Sequence, residues 1–504
     1  MNVLFIITDQ QRADHLGCAG NPDVKTPNID NLAKEGVRFT RCYCANPICM
    51  PNRASIFTGK YPSIHGVRCN GTNLNPEIPT FTETLRKQGY HTTSIGKIHL
   101  NGMTPTFSRK YKSVERFIEW AFSPKDKRPI IPKPYFGLDE IDLVLGHGDA
   151  VAGHYLDWIE EKAPELYEPL KNRVYKLFEK LYFDTPVPEE LYQTSYITQK
   201  VISFLERFAK GDYGDKPFFL HCAYPDPHHP LCPPGKYKDM YQPESLTLPP
   251  SFNHDLEKHE IYGSFLKDSF KLPTHFRKTT EKEARIFLAY TYGAISMIDD
   301  GVGQILSALA SLNLDKDTMV IFTSDHGDMA ADHGVILKQT IHYQGVLKVP
   351  LIWKVPNLTK SGVSTDSLAS SIDIPLTILN LLNIKSNFHP QGMQSHDLTP
   401  ILKDPEKQVR DNCIVEEDDD FQTSKGSFRP PIRIRTMILD NFRISVFQGP
   451  ENGGELIDLK NDPNELHDLW NDKNYVNIKH ELLSKMLTEI IMLQNRYPKP
   501  QSNA

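Results

Sequence analysis

The sequence lacks the features of three specialised classes of protein. Its most apolar N-terminal run, Val3 to Thr8, is far too short to cross a bilayer. Lys and Arg total 57 against 63 Asp and Glu, a net charge of -6, so there is no basic excess to indicate nucleic-acid binding. Eight cysteines in 504 residues are too sparse for a disulfide-stapled scaffold. We therefore expect neither a membrane nor a nucleic acid as a partner.

The N-terminus also lacks the basic segment and the small-residue cleavage site of a secretory signal peptide. These features predict a cytoplasmic protein; a leader removed before Met1 would change that expectation to a secreted or periplasmic one. Cys42 and Cys44 have no matching second pair, so they do not indicate a zinc site. The remaining composition, 39% hydrophobic and 24% charged, is that of an ordinary globular protein with room for more than one domain.

Apolar runs alternate with helical patterns along the first 400 residues. The predicted strands are Val3 to Thr8, His91 to Ile95, Pro217 to Ala223, Thr318 to Thr323 and Leu351 to Lys354. The predicted helices are Pro27 to Glu35, Arg53 to Phe57, Thr80 to Gln88, Lys282 to Leu312 and Ile374 to Leu382. Strands that are apolar throughout and separated by helices predict an α/β fold, with a large, mostly parallel sheet covered by helices on both faces.

Two regions depart from that alternation. Residues 107 to 186, rich in Lys, Pro and Tyr, predict an insertion of loops and helices, the kind of segment that often carries specificity. After residue 400, short strand-like segments are separated by turn residues and followed by a helical segment, Tyr475 to Gln494. We therefore predict a catalytic domain over residues 1–400 and a smaller α+β subdomain with an antiparallel sheet over residues 401–504.

Two carboxylates follow predicted buried strands directly. Asp9 ends the first strand and Asp325 ends the strand Thr318 to Thr323, and each has a second potential ligand beside it, Gln10 and His326. The carboxyl ends of parallel strands lie along one edge, where α/β proteins bind ligands. Carboxylate, amide and imidazole groups together indicate a site for a divalent cation. The alternative for each Asp is a turn or helix cap.

Residues 49 to 59 contain the most specific motif, Cys49-Met50-Pro51-Asn52-Arg53 followed by a small-residue segment that ends in Thr58-Gly59. This motif resembles the C-x-P-x-R signature of the sulfatases, members of the alkaline phosphatase-like superfamily. In that family a separate maturation enzyme oxidises the cysteine to formylglycine, an aldehyde. The alternative is a buried structural cysteine at position 49 with a surface Arg53.

The resemblance extends along the chain in the order that the family shows. The further matching segments are Asn2 to Gln10, Thr26 to Asp30, Gly96-Lys97-Ile98-His99, Pro227-His228-His229-Pro230, Thr323 to Gly327, Lys338, and Gly454 to Leu459 with Asn461-Asp462-Pro463. Such ordered agreement over nearly the whole length is more specific than any one motif. It implies a sulfuric ester hydrolase with an alkaline phosphatase-like fold.

The resemblance also implies roles for individual residues. The cation ligands would be Asp9, Gln10, Asp325, His326 and the formylglycine made from Cys49. The hydrated aldehyde would attack sulfur with one hydroxyl, whose pKa the metal lowers, and would expel sulfate with the other. Arg53 would hold the nucleophile, Lys97 would bind a sulfate oxygen, and His99 would accept the second hydroxyl's proton.

His228 and Lys338 would contact sulfate and protonate the leaving oxygen. The sequence does not separate His228 from His229; His228 is preferred because it precedes x-Pro, as in the family. Asn70 is a further candidate for substrate contact.

Several alternatives remain open at this stage. Gln10 and His326 replace the Asp and Asn of many relatives, so Ca²⁺ is the family expectation but Mn²⁺ or Mg²⁺ is also compatible. The same D-Q and D-H pairs occur in phosphonate monoester hydrolases, whereas Lys97 and His99 favour a sulfatase. A sulfated-ligand binder without turnover is the third hypothesis.

The sequence does not identify the substrate. A sulfated sugar is preferred because such relatives are common; choline sulfate and aryl sulfates stay open. The acidic run Glu416 to Asp420, with Arg433 or Arg435, is a candidate for contact with the leaving group, the alternative being a solvated loop.

Overall fold

A computed structural model describes residues 1–103, 113–174, 180–259, 261–263, 266, 275–419, 432–448 and 453–494. The predicted insertion and acidic run therefore lie partly outside the described residues. Within the described part of the chain, no helix combines the length and the apolar character that crossing a lipid bilayer requires.

Nine strands form the main sheet, in the order β12-β2-β11-β9-β1-β7-β4-β5-β6. These strands are β1 Asn2–Thr8, β2 Val37–Phe39, β4 His91–Gly96, β5 Glu140–His147, β6 Ala150–Gly153, β7 Phe218–Ala223, β9 Thr318–Ser324, β11 Leu351–Lys354 and β12 Val363–Thr365. β11 pairs antiparallel with β9 and β2, and β6 pairs antiparallel with β5, whereas the remaining pairings are parallel. The predicted mostly parallel sheet is confirmed.

Helices cover both faces of this sheet. The described helices are α1 Pro27–Lys34, α2 Cys49–Thr58, α3 Pro62–His65, α4 Phe81–Lys87, α5 Phe117–Phe122, α6 His154–Lys162, α7 Pro164–Arg173, α8 Gln193–Ala209, α9 Glu281–Ser311, α10 Gln344–Leu347, α11 Asp373–Leu381, α12 Thr399–Lys403 and α13 Val476–Leu493. Phe218 of β7 packs against Phe204 of α8, and the next residue, Phe219, packs against Phe81 of α4. Successive strand residues point to opposite faces, so α8 and α4 lie on opposite sides of the sheet.

The segment predicted as a loop-and-helix insertion also contains two strands. β5 extends the main sheet beside β4, and β6 completes its edge. The correction has a physical reason: the first half of β5, Glu140 to Asp142, is only partly buried and two of its three residues are charged, so it lacks the apolar run that marks a central strand.

Four further strands form the C-terminal antiparallel sheet in consecutive order: β14 Asn412–Asp419, β15 Ile432–Leu439, β16 Phe442–Gln448 and β17 Gly454–Asp458. Leu482 and Met486 of α13 pack in one cluster with Met437 and Ile444 of this sheet and with Tyr61 of the larger part of the fold. The predicted C-terminal α+β architecture is confirmed, while the boundary at residue 400 stays a prediction. The short pairs β8 Arg277–Lys278 with β10 Val335–Ile336, and β3 Cys42–Tyr43 with β13 Ala369–Ser370, complete the described strands.

Candidate active site

Four neighbouring strands of the main sheet end at the edge where the predicted site residues gather. Thr8 of β1 is in register with Ser324 of β9, so Asp9 and Asp325 leave the sheet side by side. Lys97 follows β4 directly, and His228 follows β7 after a short loop. The convergence expected from parallel strand ends therefore occurs.

The helix that carries the sulfatase-like motif begins at Cys49, four residues earlier than predicted. Pro51 lies in its first turn, where a missing N–H costs no helical hydrogen bond, so the proline does not delay the start of the helix. Residues four apart share a helix face, which places Arg53 beside Cys49. Gly59 ends the helix in the left-handed conformation at φ 65°, and its N–H donates to the Ser55 carbonyl at 2.8 Å. The motif thus encodes both ends of this helix.

The sulfur of Cys49 lies where the charged groups of the site meet. Its Sγ atom is 3.6 Å from Asp9 Oδ1, 3.1 Å from His326 Nε2 and 3.3 Å from Lys338 Nζ. All four residues are buried. Burial, reinforced by the charge of Asp9, raises the pKa of the Cys49 thiol. As a plain cysteine this residue would therefore carry little thiolate and be a poor nucleophile at neutral pH.

Cationic side chains hold the two strand-end carboxylates. Arg53 donates through Nε to Asp325 Oδ2 at 2.8 Å and through Nη2 to Asp9 Oδ2 at 3.4 Å. Lys97 Nζ donates to Asp9 Oδ2 as well. Burial alone would raise the pKa of Asp9, but Lys97 and Arg53 hold it well below its usual range. Asp9 consequently stays ionised, as a cation ligand must be.

The donor set of this cluster fits a divalent cation. Asp9, Cys49, Asp325 and His326 each place a potential ligand atom within 4.8 Å of the others. His326 Nδ1 donates to the Gly327 carbonyl at 2.9 Å, so its Nε2 lone pair faces the cluster, where it accepts from Lys338 Nζ at 2.7 Å. Burial lowers the pKa of His326 to about 4, which keeps the ring neutral, as ligation requires. Gln10 Nε2 donates to Asp328, and the buried Oε1 of Gln10 accepts no hydrogen bond from the described residues.

The remaining predicted residues surround this centre. Burial, with the positive charges of Lys97 and Arg53, lowers the pKa of His99 well below its ordinary value. His228 donates through Nδ1 to the His229 carbonyl, which leaves Nε2 for the site. Asn70 is exposed, and its Oδ1 accepts a hydrogen bond from the Met50 N–H at 3.2 Å, at the start of helix α2.

Several residues that contribute to the site were not predicted. Glu115 accepts hydrogen bonds from the backbone N–H groups of His99, Leu100 and Asn101, and so fixes the loop after β4. His147, the last residue of β5, lies 2.8 Å from Lys97 Nζ. Asp328 contacts the Gln10 amide, as does His229, which was considered only as the alternative to His228. His147 could have been predicted from the sequence, because it closely follows an apolar run, Leu143 to Leu145.

Several residues around the site have left-handed backbone. Gln10 and His99 have φ 66° and 57°, and Leu337, Gln339 and Thr340 around Lys338 have φ 73°, 76° and 59°. Each such non-glycine conformation costs on the order of 1–3 kcal/mol. Hydrogen bonds such as those that Glu115 accepts offset this cost and hold the loops in one geometry.

The acidic run also differs from its solvated-loop alternative. Glu416 to Asp419 belong to β14, and Glu416, Glu417 and Asp418 are buried. Asp418 accepts from Arg435 Nη1 at 2.8 Å, and Glu417 accepts from the Thr340 N–H at 2.8 Å, two residues beyond Lys338. The loop interpretation is therefore wrong for the described residues, because these carboxylates are paired within the fold.

Fold and site together define an α/β protein of the alkaline phosphatase-like type with a candidate metal-binding group at one edge of its sheet. A family model described as Sulfatase matches residues 1–384, and one described as N-sulphoglucosamine sulphohydrolase, C-terminal, matches residues 331–492. The chain belongs to the sulfatase family and is a sulfuric ester hydrolase, as the sequence motifs predicted.

Individual relatives agree with this assignment. An ulvan-active sulfatase of Formosa agariphila is 29% identical over 424 residues, covering 82% of this chain and 67% of that protein. The phosphonate monoester hydrolase structure of Agrobacterium radiobacter superposes with a TM-score of 0.78 at 24% identity, covering 99% of this chain and 97% of the other. A structure in complex with D-glucosamine-2-N,6-O-disulfate gives 0.71 at 19% identity, covering 99% of each chain. These structural matches show the shared fold.

Proposed function

We propose that this sulfatase hydrolyses a sulfate ester of a sugar with a formylglycine nucleophile made from Cys49. The observation that carries the proposal is the position of the Cys49 sulfur, between the carboxylate of Asp9, the imidazole of His326 and the ammonium of Lys338. A formylglycine-generating maturation enzyme would be a required partner, because the raised pKa of the buried thiol leaves unmodified cysteine unreactive.

Asp9, Gln10, Asp325 and His326 would hold one divalent cation, most simply Ca²⁺, with Mn²⁺ or Mg²⁺ as alternatives because of the imidazole. When bound, the cation supplies a lower pKa for the attacking hydroxyl of residue 49. The surrounding Arg53, Lys97 and Lys338 supply positive charge for the sulfate group and for charge that develops on the leaving oxygen.

The proposed reaction has two steps, a displacement at sulfur and an elimination that returns the aldehyde. One hydroxyl of hydrated residue 49 would lose its proton to water and attack sulfur, and the bond from sulfur to the sugar oxygen would break. That oxygen would take a proton from Lys338, or from His228 once the negative charge of the bound sulfate has offset the low pKa that burial and His147 give its imidazole. The second hydroxyl would then pass its proton to His99 as its C=O bond re-forms and the bond from that carbon to the sulfate oxygen breaks, which releases sulfate. Water adds to the aldehyde to restore the hydrate. The lowered pKa of His99 suits the accepting role, since a base must be unprotonated before the step.

The substrate class rests on the relatives. One is an ulvan-active sulfatase, one structural neighbour binds D-glucosamine-2-N,6-O-disulfate, and the C-terminal match is to an N-sulphoglucosamine sulphohydrolase region. We therefore propose a sulfated saccharide. Hydrolysis of a panel of defined sulfated saccharides, beside choline sulfate and an aryl sulfate, tests the choice. Faster turnover of choline sulfate than of every saccharide, or turnover of the aryl sulfate with none of any saccharide, would reject it.

A phosphonate monoester or phosphodiester hydrolase is the second candidate, favoured by Gln10 next to Asp9 and His326 next to Asp325. Lys97 and His99 support the sulfatase instead. Parallel kcat/KM values for an aryl sulfate and an aryl phosphonate ester rank the two, and a clear preference for phosphonate would defeat the first. Mass spectrometry of the peptide around residue 49 tests the nucleophile, because conversion of the thiol to an aldehyde lowers the peptide mass.

A further inference from the structure

We propose that His147 is a further active-site residue, which positions Lys97 so that one N–H of its ammonium points at the sulfate group. The inference rests on the proposed function, since it assigns a task to Lys97. His147 ends β5, the strand next to β4, and Lys97 follows β4. The sheet therefore brings the two side chains to one edge although they are 50 positions apart.

The contacts of Lys97 define its geometry. Its Nζ donates to Asp9 Oδ2 and lies 2.8 Å from His147 Nε2. Lys97 has no exposed surface, and His147 is buried as well. A lysine ammonium carries three donors and no acceptor, so His147 Nε2 must be the acceptor and its Nδ1 the protonated nitrogen. With two N–H groups fixed by the carboxylate and the imidazole, the direction of the third is fixed too.

His147 also contacts a second predicted catalytic residue. Its ring stacks on that of His228, with centroids 3.8 Å apart and planes inclined by 13°. The Nδ1 of His147 is buried and has no hydrogen-bond partner among the described residues. A buried donor without a protein partner usually donates to a ligand or an ordered water. Burial, reinforced by the charge of Lys97, lowers the pKa of His147 well below its ordinary value.

A metal site is the competing interpretation of the same atoms. Asp9, His147 and His228 each place a potential ligand atom within 4.8 Å of the others. However, the Lys97 ammonium already contacts Asp9 and His147, so a positive charge belonging to the chain occupies this position. A second cation there would repel Lys97 at close range. We therefore favour Lys97 as the permanent cation and His147 as its positioning residue.

A double-mutant cycle tests the assignment. We expect His147→Leu to lower kcat/KM about 10- to 100-fold, the usual size for losing a hydrogen bond to a charged group. His147→Gln, whose carbonyl oxygen replaces the Nε2 acceptor, should recover most of that loss. If His147 acts through Lys97, the double variant His147→Leu with Lys97→Met should be no slower than Lys97→Met alone. Losses that multiply would overturn the proposal.

Two controls separate this role from others. His154→Leu, at the start of α6, removes the acceptor for the N–H of Leu143 in β5, so it perturbs β5 without touching Lys97. We expect it to leave kcat/KM near the wild-type value; a loss equal to that of His147→Leu would reduce His147 to a structural role. Metal analysis of the wild type should give one ion per chain, and a second ion that His147→Leu removes would overturn the proposal in favour of a metal ligand.

The cycle is run on whichever ester the wild type hydrolyses faster, sulfate or phosphonate. A preference for phosphonate would then reject the proposed function, but the double-mutant cycle would still measure the coupling between His147 and Lys97. Inhibition by inorganic sulfate provides the binding measurement: both His147→Leu and Lys97→Met should weaken it, whereas His147→Gln should not.

Discussion

Arg53 and Asp325 form a fully buried ion pair, with Nε 2.8 Å from Oδ2, although 272 positions separate them in the sequence. The pair joins the helix that carries Cys49 to the end of β9. Arg53 also donates to the Lys97 carbonyl at 2.9 Å, so one guanidinium connects three strand ends and helix α2. The position of Cys49 is therefore coupled to the stability of the whole edge.

Replacing Arg53 with Met should destabilise the protein strongly. The change leaves the Asp325 and Asp9 carboxylates buried without their cation, a loss of about 3–5 kcal/mol in the free energy of unfolding. Urea unfolding monitored by tryptophan fluorescence gives the value. Arg86→Met, which breaks a partly exposed pair with Glu83, is the matched control and should cost at most about 1 kcal/mol. Equal effects of the two substitutions would contradict the coupling described here.

Removal of the proposed divalent cation should lower both stability and activity. Chelation would leave the Asp9 and Asp325 carboxylates without the cation between them. An ion present at 100 times its dissociation constant stabilises the folded state by about 2.7 kcal/mol, and chelation removes that contribution. We expect the melting temperature to fall with a chelator and to recover on adding Ca²⁺. In Asp325→Ala the chelator should have little further effect. A wild-type melting curve that ignores both reagents would exclude a bound divalent ion.

Glu115 should control His99 through the backbone. Glu115→Ala strands three buried N–H donors, for an expected loss of about 3 kcal/mol in unfolding free energy. Tyr135→Phe, which removes one hydroxyl donor to the same carboxylate, should cost only about 1 kcal/mol. Because His99 would be displaced, kcat in Glu115→Ala should fall more than KM rises. Steady-state kinetics on both variants check this, and an unchanged kcat would separate Glu115 from catalysis.

His228 should matter most when the leaving group is poor. General acid catalysis contributes roughly 10²–10⁴-fold where the departing oxygen needs a proton. A nitrophenyl sulfate leaves as a stabilised phenoxide, whereas a sugar alkoxide does not. We expect His228→Ala to lose far more activity on a saccharide sulfate than on the aryl ester. The same loss on both substrates would assign His228 to sulfate binding alone.

Glu465 should make stability depend on pH. Burial raises its pKa to about 7, although the nearby Arg443 lowers it. A carboxyl with a raised folded pKa binds its proton more tightly in the folded state, so its stabilising contribution is complete below the unfolded value near 4.5 and is lost as pH rises to about 7. That loss is on the order of 3 kcal/mol. The unfolding free energy of Glu465→Gln, relative to wild type, should therefore increase between pH 4.5 and 7. A constant difference over that range would disprove the shift.

Much of the fold followed from local pattern. The central strands were predictable because apolar residues buried on both faces leave a continuous run, as in β1 and β9. Strand β5 was not predicted, because its first residues are partly exposed and carry charge. The predicted start of α2 at Arg53 was four residues late, because a proline in the first turn of a helix, such as Pro51, is tolerated. Motifs located the charged residues of the site but not Glu115, which acts on the site through hydrogen bonds to the backbone of His99, Leu100 and Asn101.

The sequence by itself determined which residues carry the chemistry: the order of the motifs, the acids at strand ends and the cysteine followed four residues later by arginine are all local facts. Only the tertiary structure decided that Lys97 lies between Asp9 and His147, and that β14 reaches the loop of Lys338. The physical reason is that strand order and register are set by packing across hundreds of residues. A local sequence pattern does not determine which strands become neighbours in the sheet.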